Sequence, residues 1–167
     1  MTVYFDKGTT AAGPETFVRS ELFAKTFREG MALVEETAEY LDGAGRAASK
    51  TLARGPALAY AGASMRLTTQ LMQIASWLLV MRAVREGDMA LDEARDEKYR
   101  INQSPDATRL AEDADIPDPL QRLSDQTHQL YARIVRLDGE LFARPAGDAS
   151  ELDAAAQLRS LHRAFGQ

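Results

Sequence analysis

The amino-acid sequence predicts an all-α protein, an antiparallel three-helix bundle with a flexible N-terminal arm and a C-terminal tail that carries a short helix. Three observations favour this fold. Apolar residues make up 45% of the 167 residues and are mostly Ala, Leu and Met, whereas the aromatic residues that suit strands make up only 7%. Three long stretches repeat apolar residues at steps of three and four, the period of one helix face. Polar connections separate these stretches, as in helical bundles.

Composition and charge exclude several classes of function. The formal charge is −5, from 20 basic and 25 acidic residues, so we expect neither nucleic acid nor a membrane as a partner. The chain has no cysteine, which excludes disulfides, zinc–thiolate sites and thiol catalysis. Residues 1–19 lack the pattern of a signal peptide, and the most apolar run, residues 71–81, is too short to cross a bilayer. We therefore expect a cytoplasmic protein.

The first helix is predicted over residues 20–42, after a flexible arm over residues 1–19 that contains glycines and a proline without a sustained period. Ser20 is a suitable N-cap because its hydroxyl can accept a hydrogen bond from a free backbone N–H. The sequence Asp42-Gly43-Ala44-Gly45 predicts the end of the helix, since glycine tolerates the left-handed conformation. One apolar face of this helix is formed by Phe27, Met31, Val34, Ala38 and Leu41.

The second helix is predicted over residues 46–86, beginning near Arg46 or only at Pro56 and ending at Gly87. It has two apolar seams on different faces. The large seam suits a core within the chain, and the mixed seam, with smaller and more flexible side chains, suits close approach of another helix or of a second subunit. The large seam consists of Tyr60, Leu67, Leu71, Ile74, Leu78 and Met81. The mixed seam consists of Leu58, Ala61, Met65, Thr68, Met72, Ala75 and Leu79.

The remaining chain alternates helices with polar connections. A charged, solvent-facing helix over residues 89–100, capped by Asp88, precedes a loop over residues 101–118. The third long helix, residues 119–143, carries a coiled-coil-like stripe and completes a domain over residues 20–143. Residues 144–167 are predicted to form a linker and a short helix that needs a docking surface. The stripe contains Leu120, Leu123, Thr127, Leu130, Ile134, Leu137 and Leu141, and the short helix, from Glu151, contains Leu152, Leu158, Leu161 and Phe165.

The sequence offers no candidate catalytic, cofactor-binding or metal-binding residue. His128 and His162 have no His or carboxylate at a spacing that builds a ligand set. Glu35, Glu36 and Glu39 lack the Glu-x-x-His motifs of di-iron bundles and are typical of a solvated acidic face. No nucleophile elbow or phosphate-binding glycine-lysine loop occurs, so we expect no enzymatic activity and no cofactor.

Two long strings of residues resemble the RcdA family, known earlier as a domain of unknown function. Residues 30–46 read Gly-Met-Ala-Leu-Val-Glu-Glu-Thr-Ala-Glu-Tyr-Leu-Asp-Gly-Ala-Gly-Arg and are similar to the first helix of that family. Residues 57–87 are similar to its second helix, through Ala-Leu-Ala-Tyr-Ala, Ser-Met-Arg-Leu-Thr-Thr-Gln-Leu-Met-Gln, Ala-Ser-Trp-Leu-Leu and Arg-Ala-Val-Arg-Glu-Gly. The resemblance covers about the first 100 residues, and the helix over residues 120–141 by pattern only.

The resemblance implies a helical-bundle homodimer of alphaproteobacteria that acts as a protease adaptor in regulated proteolysis during the cell cycle. Proteins of the RcdA family, regulators of CtrA degradation, help to deliver cell-cycle transcription factors to the ClpXP protease, which is primed by a CpdR-like receiver protein. A cyclic-di-GMP-binding adaptor takes part in some cases. The family implies no catalytic activity and a cytoplasmic location that can be concentrated at the cell pole. A dimerisation or scaffold protein without a protease role is the alternative, and an enzyme or cofactor-binding bundle is a third hypothesis.

Polar residues within the similar strings, together with the single tryptophan, are the candidates for partner binding. The alternative is that they cap helices and form hydrogen bonds within the bundle, with the tryptophan packing at the rim of the core, and the sequence leaves both open. It also leaves open whether a dimer forms through the mixed seam or through the last helix. The candidates are Glu35, Glu36, Tyr40, Asp42, Arg46, Arg66, Thr69, Gln70, Gln73 and Trp77.

Overall fold

The structure, a computed structural model, describes residues 13–101 and 115–143 and confirms an all-α fold. No strand occurs within these ranges. Within the described ranges, six α-helices and one 3-10 helix follow each other. They are α1 (Pro14–Val18), α2 (Glu21–Asp42), α3 (Ala44–Ser49), α4 (Arg54–Glu86), α5 (Leu91–Ala94), a 3-10 helix (Glu97–Tyr99) and α6 (Asp118–Phe142).

The three long helices α2, α4 and α6 form the bundle, with α4 packed against both others. Glu29 of α2 pairs with Arg133 of α6 at 2.5 Å, and Glu36 pairs with Arg122 at 2.8 Å. Because a later residue of α2 meets an earlier residue of α6, these two helices are antiparallel. Helix α2 is also antiparallel to α4, so α4 and α6 run in the same direction.

The first long helix begins where the sequence predicts. The Ser20 hydroxyl accepts a hydrogen bond from the Phe23 backbone N–H at 3.2 Å and donates one to the Phe17 carbonyl at 2.6 Å. The predicted N-cap is therefore confirmed, and the same hydroxyl fastens α2 to the turn before it.

Helix α1 differs from the flexible arm that the sequence predicts up to residue 19. Phe17 and Val18 are buried, and the Phe17 ring lies 6.2 Å from the Trp77 ring. Pro14 occupies the first turn, where its missing N–H costs nothing. A helix of five residues is too short to show a period, so only its packing on α4 reveals it. Residues 1–12 of the predicted arm lie outside the described residues.

The connections also differ from the predicted helix limits. Residues 46–86 are divided between α3 and α4. Gly43 ends α2 at φ −109° and not in the left-handed conformation that the sequence predicts. Gly87 does adopt that conformation, at φ 81°, and ends α4 as predicted. The predicted helix over residues 89–100 is instead α5 and the 3-10 helix, because the Asp96 carboxylate accepts a hydrogen bond from the Lys98 N–H and begins a new turn. Most of the predicted loop, residues 102–114, and the predicted tail, residues 144–167, lie outside the described residues.

Candidate partner-binding surface

The large seam of α4 forms the centre of the core. Leu67, Ile74 and Leu78 are fully buried, and α2 approaches them so closely that a Cβ atom at Gly30 would collide with Leu78. Only Tyr60, at the first turns of the helix, is partly exposed. Burial of these side chains supplies much of the hydrophobic stabilisation of the bundle.

The mixed seam of α4 faces solvent. Its four large side chains are exposed to 67% (Leu58), 71% (Met65), 65% (Met72) and 51% (Leu79). They recur every seven residues, so they form one line along the helix, with the small residues of the seam between them. Single exposed apolar residues are ordinary, but a continuous line of four is typical of a surface that another chain or segment covers.

A groove between α2 and α4 borders one side of this line. It has a volume of about 330 Å³ and is lined mainly by apolar side chains. Met72 belongs to this groove, and exposed Asp42 at the end of α2 adds a negative charge to it. The other lining residues are Val34, Thr37, Ala38, Leu41, Thr68, Leu71 and Ala75.

A cleft between α4 and the segment that contains the 3-10 helix borders the other side. It has a volume of about 440 Å³, and Met72 lines it as well. The cleft combines apolar, hydroxyl, amide and basic groups, which suits a peptide better than a purely apolar ligand. The other lining residues are Thr69, Gln73, Ser76, Trp77, Val80, Lys98, Tyr99, Arg100 and Ile101.

A buried polar cluster fixes the wall of this cleft. The Trp77 indole N–H donates to Asp138 Oδ1 at 2.6 Å, and Arg100 Nη2 pairs with Asp138 Oδ2 at 2.5 Å. Arg100 Nη2 also donates to the Asp138 carbonyl at 2.8 Å, and its guanidinium lies 3.6 Å from the centre of the Phe142 ring. The cluster therefore connects α4, the residues after the 3-10 helix and the end of α6.

Burial dominates the electrostatics of this cluster. It raises the pKa of the Asp138 carboxyl, although the hydrogen bond from Trp77 and the charge of Arg100 act in the opposite direction. Burial likewise lowers the pKa of Arg100 despite the neighbouring carboxylate. The charged pair is thus partly desolvated, so loss of either partner would leave the other charge buried without its counter-charge.

Three of the predicted binding residues lie beside the mixed seam. Thr69 and Gln73 line the cleft, and Asp42 lines the groove. The Thr69 hydroxyl donates to the Met65 carbonyl of its own helix at 2.9 Å, and its side chain remains exposed. These three residues therefore border the mixed seam on its two sides.

Gln70 and Trp77 are corrections to the predicted set, because both are buried. Gln70 is only 4% exposed, and neither its amide nitrogen nor its amide oxygen has a hydrogen-bond partner among the described residues. Trp77 is 1% exposed and packs in the core, so it supports the floor of the cleft and is not a surface contact. Gln70 lies three residues after Leu67 and four before Ile74, and Trp77 lies three after Ile74 and four before Met81, so their spacing indicates the core.

The other predicted residues are distributed over the bundle. Glu35 is exposed on α2, while the neighbouring Glu36 pairs with Arg122 of α6. Arg46 is exposed on α3, and Arg66 is partly buried on α4. Burial, with a smaller effect of Tyr60, raises the pKa of the Tyr40 hydroxyl, so this side chain contributes to the junction of α2 and α4.

Sequence reasoning missed the wall of the cleft. Lys98, Tyr99 and Arg100 belong to a stretch whose charge predicted a solvated helix, and nothing in their spacing relates them to Asp138. The one available signal is Asp138 itself, a carboxylate four residues after Ile134 and three before Leu141, within the apolar stripe of α6.

Neither a metal site nor a membrane span is present in the described ranges. No three His, Cys, Asp or Glu side chains come together there as metal ligands. No described helix combines the length and the apolar character needed to cross a bilayer.

Fold and surface together define an all-α helical-bundle protein whose central helix carries an exposed apolar seam between a groove and a cleft. The chain belongs to the family described as "Protein of unknown function (DUF1465)", which matches residues 14–165. A search of curated proteins finds no match. Among solved structures, the chain is similar to RcdA from Caulobacter crescentus CB15, with 50% sequence identity and a TM-score of 0.65. The match covers 78% of this chain and 99% of the RcdA chain, which confirms the resemblance to the RcdA family.

Proposed function

We propose that this protein is a non-enzymatic adaptor that helps to deliver cell-cycle regulatory proteins to the ClpXP protease. The observation that supports the proposal most is the exposed line of Leu58, Met65, Met72 and Leu79. The 50% sequence identity with RcdA supports it as well. An adaptor raises the local concentration of cargo at the protease, so it needs rigid binding faces rather than catalytic groups. A CpdR-like receiver protein, a cell-cycle transcription factor as cargo and a cyclic-di-GMP-binding adaptor are proposed partners. These partners, and a cytoplasmic location concentrated at the cell pole, rest on the resemblance alone.

A homodimerisation or scaffold role without a protease is the second candidate, and the same seam favours it. Large side chains that recur every seven residues with small ones between them allow two copies of α4 to approach closely. The two candidates differ in whether this protein takes part in proteolysis, so a degradation assay separates them.

A reconstituted degradation assay tests the adaptor proposal. ClpXP, the receiver protein and a candidate transcription factor are mixed with and without this protein, and the loss of the factor is followed on gels. We expect faster loss of the factor while this protein persists. An unchanged rate for each transcription factor of the same organism, with the primed protease active on a control substrate, would contradict the proposal and favour the scaffold.

Two matched pairs of variants locate the binding face. Met72→Asp alters the mixed seam, and Gln126→Asp alters an exposed site on α6 as its control. We expect only the first to slow delivery, with both melting temperatures near that of the unchanged protein. Glu35→Lys and Glu36→Lys should both weaken partner binding, and Glu36→Lys alone also removes the exposed ion pair to Arg122. Equal delivery by Met72→Asp and Gln126→Asp would exclude the mixed seam, and unchanged partner binding by both charge reversals would exclude the acidic face of α2.

A further inference from the structure

We propose that the groove between α2 and α4 binds an amphipathic helix of a partner protein, with the apolar face of that helix in the groove and a row of Lys or Arg residues along α2. The inference rests on the proposed function, since it names the chemistry of a partner that this surface holds. It is tested by direct binding, whereas the proposed function is tested by degradation, so the failure of one is distinguishable from the failure of the other.

The floor of the groove suits apolar side chains. Val34, Leu41 and Leu71 line it, and the hydroxyl of Thr68 is already engaged, because it donates to a carbonyl of its own helix at 2.8 Å. The lining extends along α2 from Val34 to Asp42, about 12 Å or slightly more than two helical turns. Two turns of a partner helix present apolar residues at positions i, i+3 or i+4 and i+7, the spacing by which helices fill such grooves.

The rim of the groove on α2 is acidic. Asp42 lines the groove, and Glu35 lies two turns earlier on the same stripe of the helix, with Ala38 of the groove lining between them. Glu39, one turn from both acids, is also exposed. None of these three carboxylates forms an ion pair with a described residue. On the α4 side, residues 67–81 contain no charged side chain, so no neighbouring basic group there offsets the negative rim.

The other carboxylates of α2 are neutralised. Glu21, Glu29 and Glu36 each pair with an arginine, the last two with arginines of α6. The helix thus divides its acidic residues into a paired set and an unpaired set, and the unpaired set borders the groove. A partner that enters the groove meets charge that the described part of the chain does not balance.

The end of α2 makes this charge intrinsically unfavourable. Glu39 and Asp42 lie in the last turn, which contains no basic residue. The helix dipole places its negative end there, where Lys or Arg is stabilising and carboxylates are not. Basic residues of a partner would offset both the carboxylates and the dipole. Charge complementarity therefore selects a basic helix over an acidic one.

Two synthetic helical peptides test the selection by charge. Both carry the same stripe of leucines, and one has lysines along its flanks where the other has glutamates. Fluorescence anisotropy of each labelled peptide is followed as the full-length protein is added. We expect the lysine peptide to bind at least about tenfold more tightly, with a difference that shrinks as the ionic strength rises. Equal affinities, or no saturable binding of the lysine peptide, would overturn the proposal.

Charge reversals locate the binding to the rim. Glu35→Lys with Asp42→Lys should weaken binding of the lysine peptide at least about tenfold without lowering the melting temperature, because it removes a carboxylate from the negative end of α2. Asp125→Lys with Glu140→Lys, at exposed sites on α6, changes the net charge equally and is the matched control. Equal weakening by both pairs would show that the net charge of the protein, and not the groove, attracts the peptide.

Filling the groove tests the apolar contact. Ala38→Phe places a large side chain at an exposed position of the lining, and Ala132→Phe does the same on α6 as its control. We expect only the first to weaken binding of the lysine peptide, and an unchanged affinity would exclude the groove. If Ala38→Phe instead lowers the mass of the protein in light scattering while the lysine peptide fails to bind the unchanged protein, the occupant is a second copy of the chain and the proposal is wrong.

Discussion

The two faces of α4 have similar apolar character in sequence but opposite environments in the structure. Leu78 is fully buried between α2 and α6, while Leu79, the next residue, is 51% exposed. The large seam stabilises the fold, and the mixed seam remains available for contacts with another segment or chain. Apolar periodicity therefore identifies a face that must be covered, but not whether the same chain covers it.

The largest expected effect comes from truncating the same side chain on each face. Leu78→Ala should lower the free energy of unfolding by about 2–5 kcal/mol, because it leaves a cavity in the core. Leu79→Ala should change it by no more than about 0.5 kcal/mol, as at other exposed sites. Urea denaturation followed by circular dichroism measures both values. Similar losses for the two variants would mean that the mixed seam is part of the folding core, and the comparison of the two faces would fail.

The polar cluster on the core side should give the next largest effect. Asp138→Ala removes the acceptor of the Trp77 indole and the partner of Arg100, and it should cost about 1–3 kcal/mol. Asp138→Asn keeps an oxygen that can accept from Trp77, so its loss should be smaller. Because Trp77 is the single tryptophan, its fluorescence reports the change of environment during the same urea titration. If the alanine variant is no less stable than the asparagine variant, the hydrogen bond to Trp77 does not hold the cleft wall.

Much of the bundle could be predicted from local pattern. The Ser20 cap, the end of α4 at Gly87 and the division of α4 into two seams follow from residue types at fixed spacings. Helix α1 could not be predicted, because a stretch as short as residues 14–18 has no period and is held by its contact with Trp77. Periodicity needs several turns before it distinguishes a helix from a loop.

The candidate surface was predicted less well than the fold, for a related reason. Chemical type favours Gln70 and Trp77 as binding residues, although their spacing places them with Leu67, Ile74 and Met81 on the buried face. Arg100 and Asp138 are 38 residues apart, and no local pattern in a single sequence shows that they meet. Helical position is thus a better guide to exposure than polarity. Contacts between residues that are far apart in the sequence are found only from the structure.

Gln70 tests whether every position on the core face of α4 is more stable with an apolar side chain. Its buried amide has no partner among the described residues, so Gln70→Leu should raise the free energy of unfolding by about 1 kcal/mol. Gln73→Leu, one turn away on the cleft side, should have an effect within about 0.5 kcal/mol. Thermal denaturation of both variants beside the unchanged protein provides the measurement. A loss of stability in Gln70→Leu would show that its amide has a structural role that the apolar side chain cannot replace.

The smallest effect is a dependence on pH that belongs to the core face alone. Since burial raises the pKa of Asp138 in the folded protein, the folded state binds its proton more readily than the unfolded state does. The contribution of Asp138 to stability is therefore fully present below the ordinary pKa of an aspartate and is lost as the pH rises through the raised pKa. The difference in unfolding free energy between the unchanged protein and Asp138→Asn should shift in favour of the unchanged protein as the pH falls from neutral towards that ordinary value. Urea titrations at several pH values test this sign, with Leu79→Ala as a control that should parallel the unchanged protein throughout. A shift in the opposite direction would mean that the pairing with Arg100 outweighs burial, and that the cleft wall is fixed by charge rather than by exclusion of water.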